Sequence, residues 1–248
     1  MIRRGRRPAT PGNGAERTVH MVASILLGYP DERLTDARPI LNDAVATLGN
    51  GTGETGTGGI GEASRHLAAF LAHLDTTPLP DLAAHYVAVF DLKRRCCPYL
   101  TYYTYGDTRR RGMALLRFNH AYRAAGYQPP DGELPDHLAA VCELSGRGAT
   151  DHAIRLLREH HAGIHVLHQA LTAEYSPYAH VVAAVLATLP PPGPRERATA
   201  LRLAAQGPPA EEVGLDPFSP SGTPFLPPSA PPPPPAPPAP SAPTKGER

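Results

Sequence analysis

Cysteine is scarce in this 248-residue chain: Cys96, Cys97 and Cys142 are the whole set. An odd number with two adjacent is no disulfide framework, and it points to a reducing compartment, the cytoplasm. Long apolar runs are missing too. The longest, Val19 to Leu27, is interrupted by Ser24 and falls well short of the about twenty residues a bilayer span needs. No stable membrane insertion is therefore expected. Nor is there a charge excess: 24 Lys and Arg against 23 Asp and Glu leave a net +1, which removes the whole-chain electrostatic case for nucleic acid as a partner. The opening arginines Arg3, Arg4, Arg6 and Arg7 read as a solvated basic segment rather than an export signal. Polar residues 11–18 separate them from the apolar run, and no small-residue cleavage site follows. Catalytic signatures are also lacking. The glycine-rich stretch 49–61 has neither the lysine nor the flanking strand of a phosphate loop, and no serine sits in a nucleophile elbow. The expectation is a protein that is not an enzyme and carries no cofactor.

Proline, by contrast, is abundant and unevenly placed. Of 31 prolines, 16 lie between Pro208 and Arg248, where scattered apolar side chains cannot offset the entropy of ordering the chain. Residues 207–248 are thus expected to form a disordered, proline-rich tail, and residues 1–14 a disordered basic N-terminus. Residues 15–206 remain as one domain, with 49–61 as a flexible loop. Alternation of period two persists nowhere, whereas helical spacing recurs. The pattern predicts helices over about 16–27 and 31–48 (with a joint near Pro39), one carrying Leu67, Phe70, Leu71 and Leu74, one from Pro80 through Phe90, one over 107–125, one from Pro135 through Cys142, one from Thr150 or Asp151 through Leu171, and two more over 177–189 and 195–206, with an irregular segment from Asp91 to Gly106. Eight or nine helices and no sheet define an all-α bundle.

Three clusters carry chemistry. His160, His161, His165 and His168 crowd one stretch, and an i, i+4 histidine pair can chelate zinc or copper, but no carboxylate or cysteine adjoins that face. No metal site is assigned. Cys96-Cys97 stand beside Arg94 and Arg95, which would lower a thiol pKa and support a redox sensor. Lys93, Arg94, Arg95, Arg109, Arg110 and Arg111 bracket Tyr99, Tyr102, Tyr103 and Tyr105. That pattern fits single-stranded nucleic acid, but also pairing with Asp91, Asp107 and Asp136 or an acidic partner.

A resemblance orders these readings. The segments Y-V-A-V-F-D (86–91), Y-L-T-Y-Y-T-Y-G-D-T-R-R-R-G (99–112), A-Y-R-A-A-G (121–126), E-L-P-D-H-L (133–138) and C-E-L (142–144) occur in this order. The set resembles the nitrate reductase delta chain, the NarJ/NarW-type molybdenum cofactor assembly chaperones, and S-I-L-L-G-Y-P-D (24–31) resembles that family's opening helix. The resemblance implies one helical domain in the cytoplasm, a monomer or weak dimer. It also implies that the chain binds the apo catalytic (alpha) subunit of respiratory nitrate reductase, chiefly at its N-terminal segment, supporting molybdenum cofactor insertion before membrane docking. A chaperone for another molybdoenzyme is the near alternative; a helical metal or redox sensor is the alternative of another class.

An amphipathic client helix needs an apolar groove with polar anchors. Leu82, Tyr86, Val89 and Phe90 share a helical face that serves either as groove wall or as plain core. Asp107 is expected to cap its helix and orient Arg109 or Arg111. Asp136, His137 and Glu143 are placed near the client by the resemblance; Asp136 at a helix start also has a structural use, and His137 titrates near neutrality.

Overall fold

The computed structural model describes residues 14–50 and 59–206. The proline-rich tail, most of the basic N-terminus and the centre of the 49–61 loop lie outside the described residues. Among those described there are eleven α-helices and no strand, only an isolated bridge. None of the helices is long and apolar enough to cross a membrane.

Helices α1 (Gly14–Leu26), α2 (Glu32–Asn50) and α3 (Gly59–Thr76) form one side. In α1, Val19, Val22, Ala23 and Leu26 are buried at i, i+3, i+4, i+7, so one stripe faces inward. The Asp31 carboxylate accepts from the Arg33 and Leu34 amides at 3.0 and 3.3 Å, starting α2. Pro39 lies inside α2, which runs on through it as a single element rather than jointed. Both edges of the expected loop are helical, since α2 reaches Asn50 and α3 begins at Gly59.

Helix α4 (Leu79–Tyr86) runs into a π-helical turn, Val87–Asp91, closed by the Leu92 amide on the Val87 carbonyl. The segment 91–106, expected to be irregular, holds a 3-10 turn at Arg94–Cys96 and a short helix, α5 (Leu100–Tyr105). Helix α6 (Arg109–Ala124) ends where the Gly126 amide reaches the Arg123 carbonyl and the Tyr127 amide the Tyr122 carbonyl. Gly126 takes φ 81°, the left-handed geometry that closure requires.

Helices α7 (Leu138–Gly146) and α10 (Tyr178–Ala187) are buried on most sides, as befits elements at the centre of a bundle. Helix α1 packs on α7, α3 on α10, and α9 (His161–Ala173) on α10 and α11 (Pro194–Gln206). Two expectations need correction. The helix expected from Pro135 starts at Leu138, because the Asp136 side chain is engaged elsewhere. The helix expected from Thr150 or Asp151 through Leu171 breaks at His160, giving α8 (Thr150–Glu159) and α9. The apolar spacing continues across the break, but His160 takes φ −107°, ψ 15° and buries its ring against Phe118. The final count of helices is accordingly higher than eight or nine.

Candidate functional site

The two densest sequence motifs meet in space. The backbone of Tyr99 pairs with that of His137 in an antiparallel bridge. The Leu100 amide donates to the Asp136 carbonyl at 3.0 Å, and the Leu138 amide to the Pro98 carbonyl at 2.9 Å. This clasp presents the Asp136 carboxylate to the first turn of α5. Its Oδ2 accepts from the Thr101 amide at 3.1 Å and the Thr101 hydroxyl at 2.5 Å. Tyr99, which precedes α5, offers no side-chain cap, so a residue distant in sequence supplies the acceptor that a helix start requires.

Charges radiate from this point. Arg111 Nε donates to Thr101 Oγ1 at 3.1 Å, and its Nη2 lies 3.8 Å from Asp136 Oδ2. Its Nη1 donates to Asp107 Oδ1 at 3.3 Å, while Arg94 Nη2 reaches Asp107 Oδ2 at 3.0 Å. The Arg111 guanidinium also lies over the Tyr99 ring, 5.4 Å from its centroid. Tyr99 donates its hydroxyl to Glu133 Oε1 at 2.9 Å and meets the His137 ring edge-on. Carbonyl, carboxylate, hydroxyl and guanidinium thus form a ladder from buried Asp136 out to exposed Arg94. Buried Asp136 Oδ1 and Arg111 Nη2 have no hydrogen-bond partner among the described residues.

Sequence reasoning named Asp107, Arg111, Asp136 and His137 of this assembly as client contacts, and Arg94 and Tyr99 in the cationic and aromatic cluster. Asp107 orients Arg111 as expected, but other jobs differ. Asp107 does not cap α6; Thr108 stands at that position without a side-chain bond, and Asp107 bridges Arg94 and Arg111 instead. His137 caps α7, its Nδ1 accepting from the Ala139 amide at 3.2 Å. Burial is the main influence on this imidazole and lowers its pKa against the opposing pull of Glu133 and Asp136. Arg109 is exposed in the first turn of α6.

The other named residues lie apart from the ladder. Glu143 turns to Arg147 one helical turn on, at 2.6–2.7 Å. Tyr86 and Phe90 pack in the core, one of the two uses their helical face allowed. Both are buried, Tyr86 4.8 Å from Phe90 between ring centroids, and Phe90 5.0 Å from Tyr178. The Tyr86 hydroxyl donates to the Leu27 carbonyl, and desolvation first, then Asp91 and Glu133, pushes its pKa up to about 12. The hub that sequence reasoning missed is Thr101. Its place in the first turn after Pro98-Tyr99 was the available signal, a polar side chain where a helix start leaves amides unpaired.

Burial pushes the Cys96 and Cys97 thiols up to about 11, outweighing Lys93 and Arg111, so neither is a ready thiolate. Among the described residues, no three His, Cys, Asp or Glu side chains are placed to hold a metal ion. His161, His165 and His168 line a cleft with Glu62 and His66 between α3, α9 and α10, and Glu196 stands 4.0 Å from His161, so carboxylates do adjoin this face; His66 shares a hydrogen bond of 3.2 Å with His180.

The clasp joins two of the segments that carry the family resemblance, and both lie inside the stretch that a known family matches. Residues 57–184, just over half of the chain, match the family described as nitrate reductase delta subunit. The chain belongs to that family. Among relatives, the nitrate reductase-like protein NarX of Mycobacterium tuberculosis is 37% identical over 171 residues, which are 68% of this chain and 24% of that protein. The probable nitrate reductase molybdenum cofactor assembly chaperone NarJ of Bacillus subtilis is 29% identical over 189 residues, 74% of this chain and 95% of that one. The Escherichia coli K12 chaperone NarJ is 29% identical over 139 residues, 56% of each chain. The chain therefore spans about a quarter of the mycobacterial relative and nearly all of the Bacillus delta-family member.

Proposed function

We propose that this chain is a cytoplasmic chaperone of nitrate reductase maturation. It binds the apo catalytic (alpha) subunit, chiefly at its N-terminal segment, and holds it competent for molybdenum cofactor insertion before the complex docks at the membrane. The observation that carries the reading is family membership, together with a relative of similar extent, matched over 95% of its length, whose name states the chaperone role. The ladder from Asp136 to Arg94 holds its charges in place by hydrogen bonds, which supports a rigid polar anchor for a partner. Its partner in this reading is another polypeptide, which it meets as a monomer or weak dimer.

Titration calorimetry of the full chain with a peptide from the N-terminus of the cognate catalytic subunit tests the proposal. Saturable one-to-one binding is expected, as is co-purification with the apo subunit. Failure to bind both the peptide and the whole apo subunit would overturn it.

A further inference from the structure

Imidazoles from three helices converge on the cleft between α3, α9 and α10. Two of them meet directly. His66 on α3 and His180 on α10 bring their Nδ1 atoms to 3.2 Å, with ring centroids 5.5 Å apart. His66 is half-buried and His180 exposed, so both rings reach solvent. A hydrogen bond open to water contributes little net stability, so folding does not demand this contact. The second ring nitrogen of His66, Nε2, faces Glu62 Oε1 at 4.0 Å, one turn back on α3. Burial first and His180 next lower the His66 pKa, with Glu62 opposing. The ring is therefore a neutral imidazole at neutral pH, with a lone pair free on one nitrogen.

We propose that His66 and His180 form a two-histidine site for a divalent transition-metal ion of the zinc, nickel or copper kind, the ions that imidazole suits. The site is independent of the chaperone reading. Two nitrogens each about 2.0–2.1 Å from a tetrahedral ion stand about 3.3–3.4 Å apart. The observed 3.2 Å lies close to that edge, and a small turn of either exposed ring about χ2 aims both lone pairs at one point. The carboxylate is placed to help. When Nδ1 holds the ion, the ring proton sits on Nε2, and for His66 that nitrogen faces Glu62. A carboxylate behind a ligating imidazole fixes its tautomer and raises its basicity. The proton now shared by the two Nδ1 atoms moves to Nε2, so binding releases no net proton. The ligands stand on helices that pack on one another, so the fold sets their separation. No third His, Cys, Asp or Glu among the described residues is placed to complete the set. Water fills the remaining positions, beside an open cleft of about 390 Å³. The α9 pair His161 and His165 has chelating spacing but serves less well, because His161 is buried and the two rings meet edge-on. An ion held by α3 and α10 together staples the two helices and stabilises the folded chain by mass action.

The test uses the full chain without an affinity tag. Calorimetry with ZnCl2 and with NiCl2 is expected to show one equivalent bound, and MgCl2 none. At a hundredfold excess over Kd, the melting temperature should rise by about 5–10 °C. With one equivalent of CuCl2, the electron paramagnetic resonance spectrum should show coupling to at least two ring nitrogens. His66→Ala or His180→Ala should weaken binding at least tenfold and remove the thermal shift, whereas His161→Ala with His165→Ala leaves both unchanged. Glu62→Gln should weaken binding about tenfold. Circular dichroism checks that each variant is folded. Several weak, equal equivalents that persist in His66→Ala would mark an adventitious ion only and overturn the proposal. So would the absence of any bound ion, or binding that is lost in the α9 double variant but kept in His66→Ala.

Discussion

Arg111 and Asp136 meet around a third side chain: the Thr101 hydroxyl donates to Asp136 Oδ2 at 2.5 Å while accepting from Arg111 Nε at 3.1 Å. The carboxylate is fully buried, and the two charges approach one another only to 3.8 Å. The threonine is therefore the joint of the clasp, and the ion pair acts through it.

This arrangement makes Asp136 a strut whose loss unfolds more than one element. Asp136→Ala leaves the Thr101 amide unbonded and removes one of the two carboxylates beside Arg111, with Asp107 remaining. The expected cost is about 1.5–3 kcal/mol in urea denaturation, the range for a hydrogen bond to a charged group. Thr101→Val should cost about 1–3 kcal/mol, and the double variant should cost clearly less than the sum. Full additivity would show that the three groups act independently.

Acid should loosen the fold through histidine. His20 is buried, bonds Ser145 Oγ at 2.7 Å and Thr188 Oγ1 at 2.8 Å, and burial lowers its pKa to about 4. The unfolded chain takes up this proton near pH 6.5 and the folded chain does so near 4. Stability is thus complete above about 6.5 and falls as the pH drops through that window, by on the order of 3 kcal/mol for this one group. His160, lowered to about 4 chiefly by desolvation, adds its own share. Urea midpoints from pH 7 to 4 should fall steadily, and His20→Gln should flatten the decline. An unchanged slope in that variant would count against the assignment.

The thiols should be inert in the native protein. With Cys96 and Cys142 buried and all three thiol pKa values raised, mainly by desolvation, a disulfide reagent at pH 8 should label them slowly until denaturant is added. Rapid labelling of Cys96 or Cys97 before unfolding would restore the redox-sensor reading.

Helix α9 closes through Tyr175 in the left-handed region, φ 52°, with the side chain 95% exposed. The Ser176 amide reaches the Leu171 carbonyl at 2.9 Å, the closure glycine serves after α6. Tyr175→Gly should stabilise the chain by about 0.5–1 kcal/mol, since relief of the positive φ outweighs glycine's greater freedom when unfolded. A lower melting temperature would show that the exposed ring contributes contacts of its own.

Much of this architecture was legible in the residues. Val19, Val22 and Leu26, or Leu67, Phe70, Leu71 and Leu74, mark their helices because burial of a single stripe repeats at 3.6 residues. Helix α5 was not legible. Six residues rich in Tyr and Thr between Pro98 and Gly106 carry no period long enough to register, and the first turn is held by Asp136 from outside. The break at His160 was hidden because apolar spacing continues through Leu157 and Ile164, while a backbone turn changes the direction. For the site, pairing of Arg111 with Asp107 and Asp136 was foreseeable from charge alone.

Because residues 98–100 are stitched to 136–138, the chain from Thr101 to Pro135 is closed on itself at one spot, while Tyr103, Phe118 and Tyr122 root it in the common core. Substitution along its outward side is therefore expected to leave the rest of the molecule undisturbed.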